Sequence, residues 1–297
     1  MEVWLNGKFV HRDEARISVF DAGFQHAVGV FETMLARNGR VFRVEDHLER
    51  LAASAEELRL TERLHIEPLA EAVQMTVERN RLDAARVRLT LTGGDLNRLH
   101  ATGRSGQDPT VLIVTQPPTD YPDAFFEKGV RVTIADGRES PFLPMAGHKT
   151  LNYWQRIQAL QLAGTRQAGE ALWFSVSNHL VGGCVSNVFL LKSGTLLTPL
   201  ARGEEPHGSI PSCSLPGITR QTIIEIAERD GIAVEKRMLD IEQLLAAEEV
   251  FLTNSSWGVL PVVGVERESI DSGEPGSLTR QLRQAWLDLV QQETSAA

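Results

Sequence analysis

The chain has 297 residues, is 42% hydrophobic and 23% charged, and carries a formal net charge of −9. This is enough chain for two ordinary domains with separate cores, in the compositional range of soluble globular proteins. The acidic balance argues against a nucleic-acid partner; no apolar run reaches membrane-spanning length, and Met1-Glu2-Val3-Trp4 lacks the basic and apolar parts of a signal peptide.

In chain order, residues 4–10 predict a hairpin turning at Asn6-Gly7, and residues 29–36 with 41–43 a second one turning at Asn38-Gly39. Residues 44–60 predict an amphipathic helix with Leu48, Leu51, Ala55 and Leu58 on one face, and residues 66–79 another. Strands are expected at 85–92 and 110–115, with a loop holding Gly and Arg at 93–107. The run Gln116-Pro117-Pro118-Thr119-Asp120-Tyr121-Pro122 is the best linker candidate. The expected domains are therefore a small N-terminal one, residues 1–116, a linker at 117–127, and a larger C-terminal one, residues 128–297. Short strands follow near 129–135, 171–176, 188–192, 195–198, 232–238, 249–253 and 259–265. Helices near 152–163, 217–230, 240–246 and 277–292 intervene, so the fold class is α+β. Cys184 and Cys213 match neither a metal-ligand spacing nor a disulfide framework; the expectation is a cytoplasmic protein with no metal.

Two segments carry chemistry. In Ala146-Gly147-His148-Lys149-Thr150-Leu151-Asn152-Tyr153, the lysine lies between a stretch broken by Pro141, Pro144 and Gly147 and an apolar helix-like run. An amine held there suits attack on a carbonyl, although a solvated surface lysine is the plainer reading. In Ser214-Leu215-Pro216-Gly217-Ile218-Thr219-Arg220, a helix start offers free N–H groups, the Thr219 hydroxyl and a glycine that admits close approach. Arg220 in the first turn opposes the helix dipole, and a bound anion would reverse that penalty. An ordinary capped helix is the alternative. A lysine amine plus a phosphate cradle suggests pyridoxal phosphate, held as a lysine Schiff base.

These segments resemble the class IV aminotransferases, the fold-type IV pyridoxal-phosphate enzymes, from Trp4-Leu5-Asn6-Gly7 to Pro261-Val262. The family contains branched-chain and D-amino-acid aminotransferases and 4-amino-4-deoxychorismate lyases. The resemblance implies a small N-terminal α/β domain and a larger domain with a barrel-like sheet that carries the Schiff-base lysine. It also implies a cofactor between them and a homodimer whose partner subunit often completes the site.

By resemblance, Lys149 is the catalytic residue. Glu32, in Phe31-Glu32-Thr33, lies on the active-site wall, and a strand glutamate facing water is the alternative. Arg50, in His47-Leu48-Glu49-Arg50-Leu51, binds the cofactor phosphate, or else pairs with Asp46 or Glu49. Tyr153 bonds the cofactor ring hydroxyl, or packs in the core. Gly217, Ile218, Thr219 and Ser255 complete the cofactor contacts, and the Ser256 N–H meets a substrate carboxylate. His26 lies near the substrate side, as a contact or a packed histidine. Arg104 and Arg98, in the 93–107 loop, meet an anionic substrate or are solvated.

Val181-Gly182-Gly183-Cys184-Val185-Ser186-Asn187 departs from the family pattern. Gly182 stands where the family has the glutamate that keeps the pyridine nitrogen protonated, and no Asp or Glu occurs from Ala171 through Gly203. Restoring it by Gly182→Glu is expected to raise the transamination rate if that acid is limiting. Three functions follow: an amino-acid transaminase acting on an amino substrate and an oxo acid, favoured by Glu32 and Tyr153; an aminodeoxychorismate lyase, favoured by Thr253-Asn254-Ser255 and the 93–107 loop; or a cofactor-binding homologue with weak catalysis, favoured by Gly182.

Overall fold

The computed structural model describes residues 1–61, 64–96 and 109–295. Backbone contacts divide the chain into two units. One holds Met1–Thr119, His148–Asn152 and Val290–Ala297; the other holds Asp120–Gly147 and Tyr153–Leu289.

The first unit is an antiparallel sheet of six strands with two helices on one face. Its strands are β1 (Glu2–Leu5), β2 (Lys8–His11), β3 (Gly29–Arg37), β4 (Arg40–Val41), β5 (Ala85–Thr92) and β6 (Val111–Gln116), in the order β2-β1-β6-β5-β3-β4. Both hairpins turn where expected, with Asn6 at φ 48° and Gly7 at 86°, and Asn38 at 52° and Gly39 at 73°. Two consecutive positive φ values make the tight turn whose twist matches the strands. A short helix, α1 (Ala22–His26), was not legible in the sequence. Asp21 caps it by accepting the Gly23 N–H at 2.7 Å, and its other oxygen accepts from Thr92 at 2.8 Å and Thr110 at 2.6 Å.

Helices α2 (Val44–Glu57) and α3 (Ile66–Arg79) bury one stripe each. Leu48, Leu51, Val73 and Val77 meet Val30, Met34, Val87, Leu89, Leu91 and Ile113 of the sheet in one core. Burying side chains of this size contributes about 1.5–3 kcal/mol each. β4 covers β3 only at Ala36 and Arg37. At the other end of β3 the edge is covered by residues 149–151: the Phe31 N–H donates to the Lys149 carbonyl and the Leu151 N–H to the Gly29 carbonyl, both at 2.9 Å. This pairing corrects the expected domain layout. The lysine segment is 30 residues past Thr119 in sequence, yet its ladder hydrogen bonds place it in the first unit.

The second unit is built on a sheet of nine strands. They are β7 (Val130–Glu139), β8 (Glu170–Ser175), β9 (Leu180–Gly183), β10 (Asn187–Lys192), β11 (Thr195–Thr198), β12 (Ala233–Lys236), β13 (Glu249–Asn254), β14 (Gly258–Val265) and β15 (Glu268–Ser269). The order is β12-β11-β10-β13-β14-β7-β8-β9, with β15 on β14. The pairs β11–β12, β14–β7 and β7–β8 are parallel and the rest antiparallel, as expected of an α+β protein. The helices are α4 (Asp123–Glu127), α5 (Trp154–Thr165), α6 (Ile218–Arg229), α7 (Ile241–Leu245) and α8 (Ser277–Thr294), the last of which ends in the first unit. One apolar cluster centres on Leu172, Val188, Leu190, Leu252 and Leu260, and another on Ala146, Ala163, Trp173, Cys184 and Cys213.

Candidate active site

In the first unit the polar residues gather around helix α2. Its residues 47, 50, 54 and 57 recur at spacings of three and four, so they share one face. Glu32 of β3 lies against the first two: Arg50 donates from Nε to Oε1 at 2.8 Å and from Nη2 to Oε2 at 2.5 Å, and His47 Nδ1 lies 2.8 Å from Oε2. Glu32 and His47 are each only 1% exposed. Glu32 therefore does not face water, and it is a partner of Arg50; Asp46 is met by Arg43 at 3.4 Å. Burial alone would push the Glu32 carboxyl up, but the Arg50 charge and the hydrogen bonds from His47 and Arg50 outweigh it and hold it at about 2. Burial pushes the His47 imidazole down, so it meets Glu32 as a neutral N–H donor.

The other two residues of that face lie against the neighbour of the lysine. His148 Nδ1 lies 3.0 Å from Ser54 Oγ, and its Nε2 is 3.3 Å from Glu57 Oε2. Lys149 itself is backbone-paired to β3, with its Nζ 4.6 Å from the centroid of the Phe31 ring. The Arg88 guanidinium lies 3.7 Å from the same centroid, a contact that strand alternation alone did not single out. His26 is exposed at the end of α1, so it is not a packed histidine. Arg98 and Arg104 lie outside the described residues.

In the second unit, α6 begins at Ile218 after Gly217, and Gly217 supplies no side-chain cap to the first-turn N–H groups. Thr219 is 4% exposed in that turn. A Cβ on Gly217 would collide with Asn187 Oδ1, so the close approach there is made by Asn187, which also donates to the Leu215 carbonyl at 2.8 Å. Arg220 corrects another expectation. It turns into the unit, where Glu204 accepts from Nη1 at 3.0 Å and from Nη2 at 2.8 Å. The anion that offsets its unfavourable place in the helix is thus the protein's own carboxylate, held at about 2 chiefly by the Arg220 hydrogen bond against the cost of burial.

The turn after β13 is organised by Asn254, whose Oδ1 accepts the Ser256 N–H at 2.9 Å and the Trp257 N–H at 3.0 Å. The Ser256 N–H expected to meet a carboxylate has a side-chain acceptor of its own. Ser255 lies in the same turn. Tyr153, just before α5, donates its hydroxyl to the Cys184 carbonyl at 2.9 Å.

Glu170 immediately precedes the acid-free stretch from Ala171 through Gly203. It is fully buried and accepts from the Ala171 and Cys184 N–H groups at 3.0 and 3.1 Å, and from the Val185 N–H and Ser186 Oγ at 3.2 and 3.1 Å. Burial raises its carboxyl in spite of those donors. Arg156 braces the same turn through the Gly183 carbonyl at 2.8 Å and reaches Glu139 at 2.8 Å. Gly182 sits at φ 153°, and a Cβ there would fall 2.8 Å from the Ser186 carbonyl oxygen.

The sequence profile of amino-transferase class IV matches residues 29–265. The chain belongs to this family. A class IV relative, the putative branched-chain-amino-acid aminotransferase of Methanocaldococcus jannaschii, is 31% identical over 97% of this chain and 96% of its own length. Two solved structures superpose over nearly the whole chain. The branched-chain amino acid aminotransferase of T.th., solved with pyridoxamine 5'-phosphate, is 27% identical with a TM-score of 0.86, over 97% of this chain and 93% of that one. The 4-amino-4-deoxychorismate lyase of Pseudomonas aeruginosa is 28% identical with a TM-score of 0.82, over 96% and 98%. The class IV fold and its cofactor, pyridoxal phosphate, are therefore those of this chain.

Proposed function

We propose that the chain is a pyridoxal-phosphate-dependent transaminase that moves an amino group from an amino substrate to an oxo acid, with Lys149 as its catalytic residue. The observation that carries the reading is the seat of Lys149: a lysine on a segment backbone-paired to β3, its amine 4.6 Å from the centroid of the Phe31 ring, in a strand whose next residue, Glu32, holds Arg50. An amine launched from a hydrogen-bonded backbone segment, with an aromatic ring on one side of it, suits condensation with a carbonyl.

The residues present fit the cofactor. A buried guanidinium fork clamped on one edge, and a twelve-residue helix whose first turn has no side-chain cap, are both suited to a phosphate. By the family resemblance, Arg50, Gly217, Ile218, Thr219 and Ser255 are the residues that would hold that group, and Tyr153 the one that would meet the ring hydroxyl. When bound, pyridoxal phosphate supplies a carbonyl that condenses with amines and a ring that accepts electron density from the substrate Cα. Lys149 Nζ then takes the Cα proton and returns it, a general acid–base role that contributes about 10²–10⁴-fold. Glu32, enclosed between Arg50 and His47, positions Arg50 rather than reaching the substrate. The Ser256 turn and the exposed His26 are assigned to substrate contact. The Arg104 assignment rests on the family resemblance alone.

Ile17, Val19, Phe20 and Phe24 in the first unit, and Phe142, Leu143 and Trp154 in the second, are exposed apolar side chains. They support a homodimer, which sedimentation of the purified protein would test. Among the described residues no helix is long and apolar enough to cross a membrane, and the proposed location is the cytoplasm.

The lyase reading keeps one supporting observation: the Thr253-Asn254-Ser255 turn, in a chain that matches the Pseudomonas lyase over almost its whole length. Purified protein offered amino donors with 2-oxoglutarate should yield glutamate. Pyruvate and 4-aminobenzoate from aminodeoxychorismate, with no glutamate in the first assay, would overturn the transaminase reading. Bound yellow cofactor with neither product would favour a homologue of weak catalysis, for which Gly182 is the supporting residue. Lys149→Ala should lose both turnover and the yellow absorbance.

A further inference from the structure

Position 148 carries an inference that rests on the reading of Lys149 as the carbonyl-condensing amine. A lysine side chain has four rotatable bonds, so the point its amine reaches depends on the backbone that launches it. On the far side of Lys149 that backbone is fixed by the hydrogen bonds to β3. On the near side stands Gly147 at φ 75°, a residue with no side chain to anchor it. Between the two is His148, whose side chain is 5% exposed. Each ring nitrogen lies against α2: Nδ1 is 3.0 Å from Ser54 Oγ, and Nε2 is 3.3 Å from Glu57 Oε2. Ser54 is 7% exposed, whereas the Glu57 side chain is 52% exposed. The Ser54 contact is thus shielded from water and the Glu57 contact is screened by it.

Helix α2 is therefore a common mount for both groups near the lysine. Its residues 47 and 50 fix Glu32, which follows Phe31, the backbone partner of Lys149; its residue 54 fixes His148, which precedes Lys149. We propose that His148 is a positioning residue: through Ser54 it fixes the launch of the Lys149 side chain and so the placement of its amine. It touches neither cofactor nor substrate in this role.

The test uses full-length protein stripped of cofactor and then given pyridoxal phosphate. The readouts are the rate at which the yellow band forms, the pH midpoint of that band, and mass-spectrometric mapping of the pyridoxyl group fixed by borohydride. His148→Ala should slow band formation by about tenfold to a hundredfold, the usual penalty of misplacing a reacting group by around an ångström, and should shift the pH midpoint. His148→Asn puts a nitrogen near the Nδ1 position and should restore most of the rate; Ser54→Ala should reproduce the defect in milder form. A His148→Ala protein that melts lower yet keeps the parental rate and midpoint would overturn the proposal. If His148→Ala does not fold, Ser54→Ala decides, and a parental rate there overturns it equally. A parent protein that carries no pyridoxyl group on Lys149 would instead sink the reading of the site itself.

Discussion

Glu32 and Arg50 meet edge to edge, with Nε and Nη2 of the guanidinium on the two carboxylate oxygens, in a setting where the carboxylate is almost fully enclosed. The pair ties β3 to α2, and His47 closes it from the same helix. The ionised form of Glu32 is favoured in the fold, and removing its charge has two separable effects.

Glu32→Gln should destabilise the protein by about 3 kcal/mol, because it leaves a buried guanidinium and imidazole facing a neutral amide. In the parent, the folded carboxyl sits at about 2 against an ordinary 4.5. Its stabilising contribution is present above pH 4.5 and is lost as pH falls from there towards 2. Acid unfolding followed by circular dichroism should show this loss in the parent and not in the variant. Cofactor affinity should fall in the variant as well, since Arg50 loses the partner that fixes its pose.

Glu170→Ala should cost about 2–4 kcal/mol, by removing the acceptor of the Ala171 and Val185 N–H groups and the Ser186 hydroxyl, while the Cys184 N–H keeps the Ala171 carbonyl at 3.1 Å. Glu170→Gln should cost less, since burial already favours the neutral carboxyl. Melting temperature measures the first effect. A thiol reagent measures the second consequence: Cys184, buried beside this carboxylate with its thiol pushed up to about 12, should become reactive in Glu170→Ala as the turn loosens.

Gly182→Glu should lower stability and should not raise the transamination rate. The expectation that an added acid would help assumed a backbone that accepts a side chain. Residue 182 instead lies at φ 153° with the Ser186 carbonyl 2.8 Å from the Cβ position, and Ser186 is held there by the Gly183 N–H at 2.9 Å. The strain should cost about 1–3 kcal/mol. Paired measurements of melting temperature and initial rate check it; a faster enzyme with an unchanged melting point would contradict it.

Gly217→Ala should displace the start of α6. Its methyl would run into Asn187 Oδ1, within a unit where that asparagine also holds the Leu215 carbonyl. Phosphate or pyridoxal phosphate should protect the parent against heat, and that protection should shrink in the variant, a difference visible in melting curves with and without ligand.

The elements that were legible in the sequence are those with strong local chemistry. Asn6-Gly7 and Asn38-Gly39 can hardly be anything but hairpin turns, and residues 66–79 fold as the helix their apolar spacing demands. The short α1 was hidden because one aspartate, using acceptors and donors far away in sequence, sustains it. β9 was hidden because Gly182-Gly183 reads as loop, and only its pairing with Leu172 and Trp173 makes it a strand. The family was legible because motif order survives without coordinates. The partners of Arg50, Arg220 and His148 were not, since Glu32, Glu204 and Ser54 are 18, 16 and 94 residues away and no periodicity links them.

The five-residue return of the chain at His148–Asn152 bears on how this protein can be cut. The proline-rich stretch after Gln116 looks like a natural place to divide the gene. A fragment ending there would keep the six-stranded sheet but lose the strip that closes β3 at Gly29–Phe31. It would expose a bare row of amide and carbonyl groups beside an aromatic ring, the template on which chains stack edge to edge. Expressed alone, the amino-terminal piece should precipitate. Supplied with the remainder of the polypeptide as a separate chain, it should be rescued, because the missing strip arrives from outside.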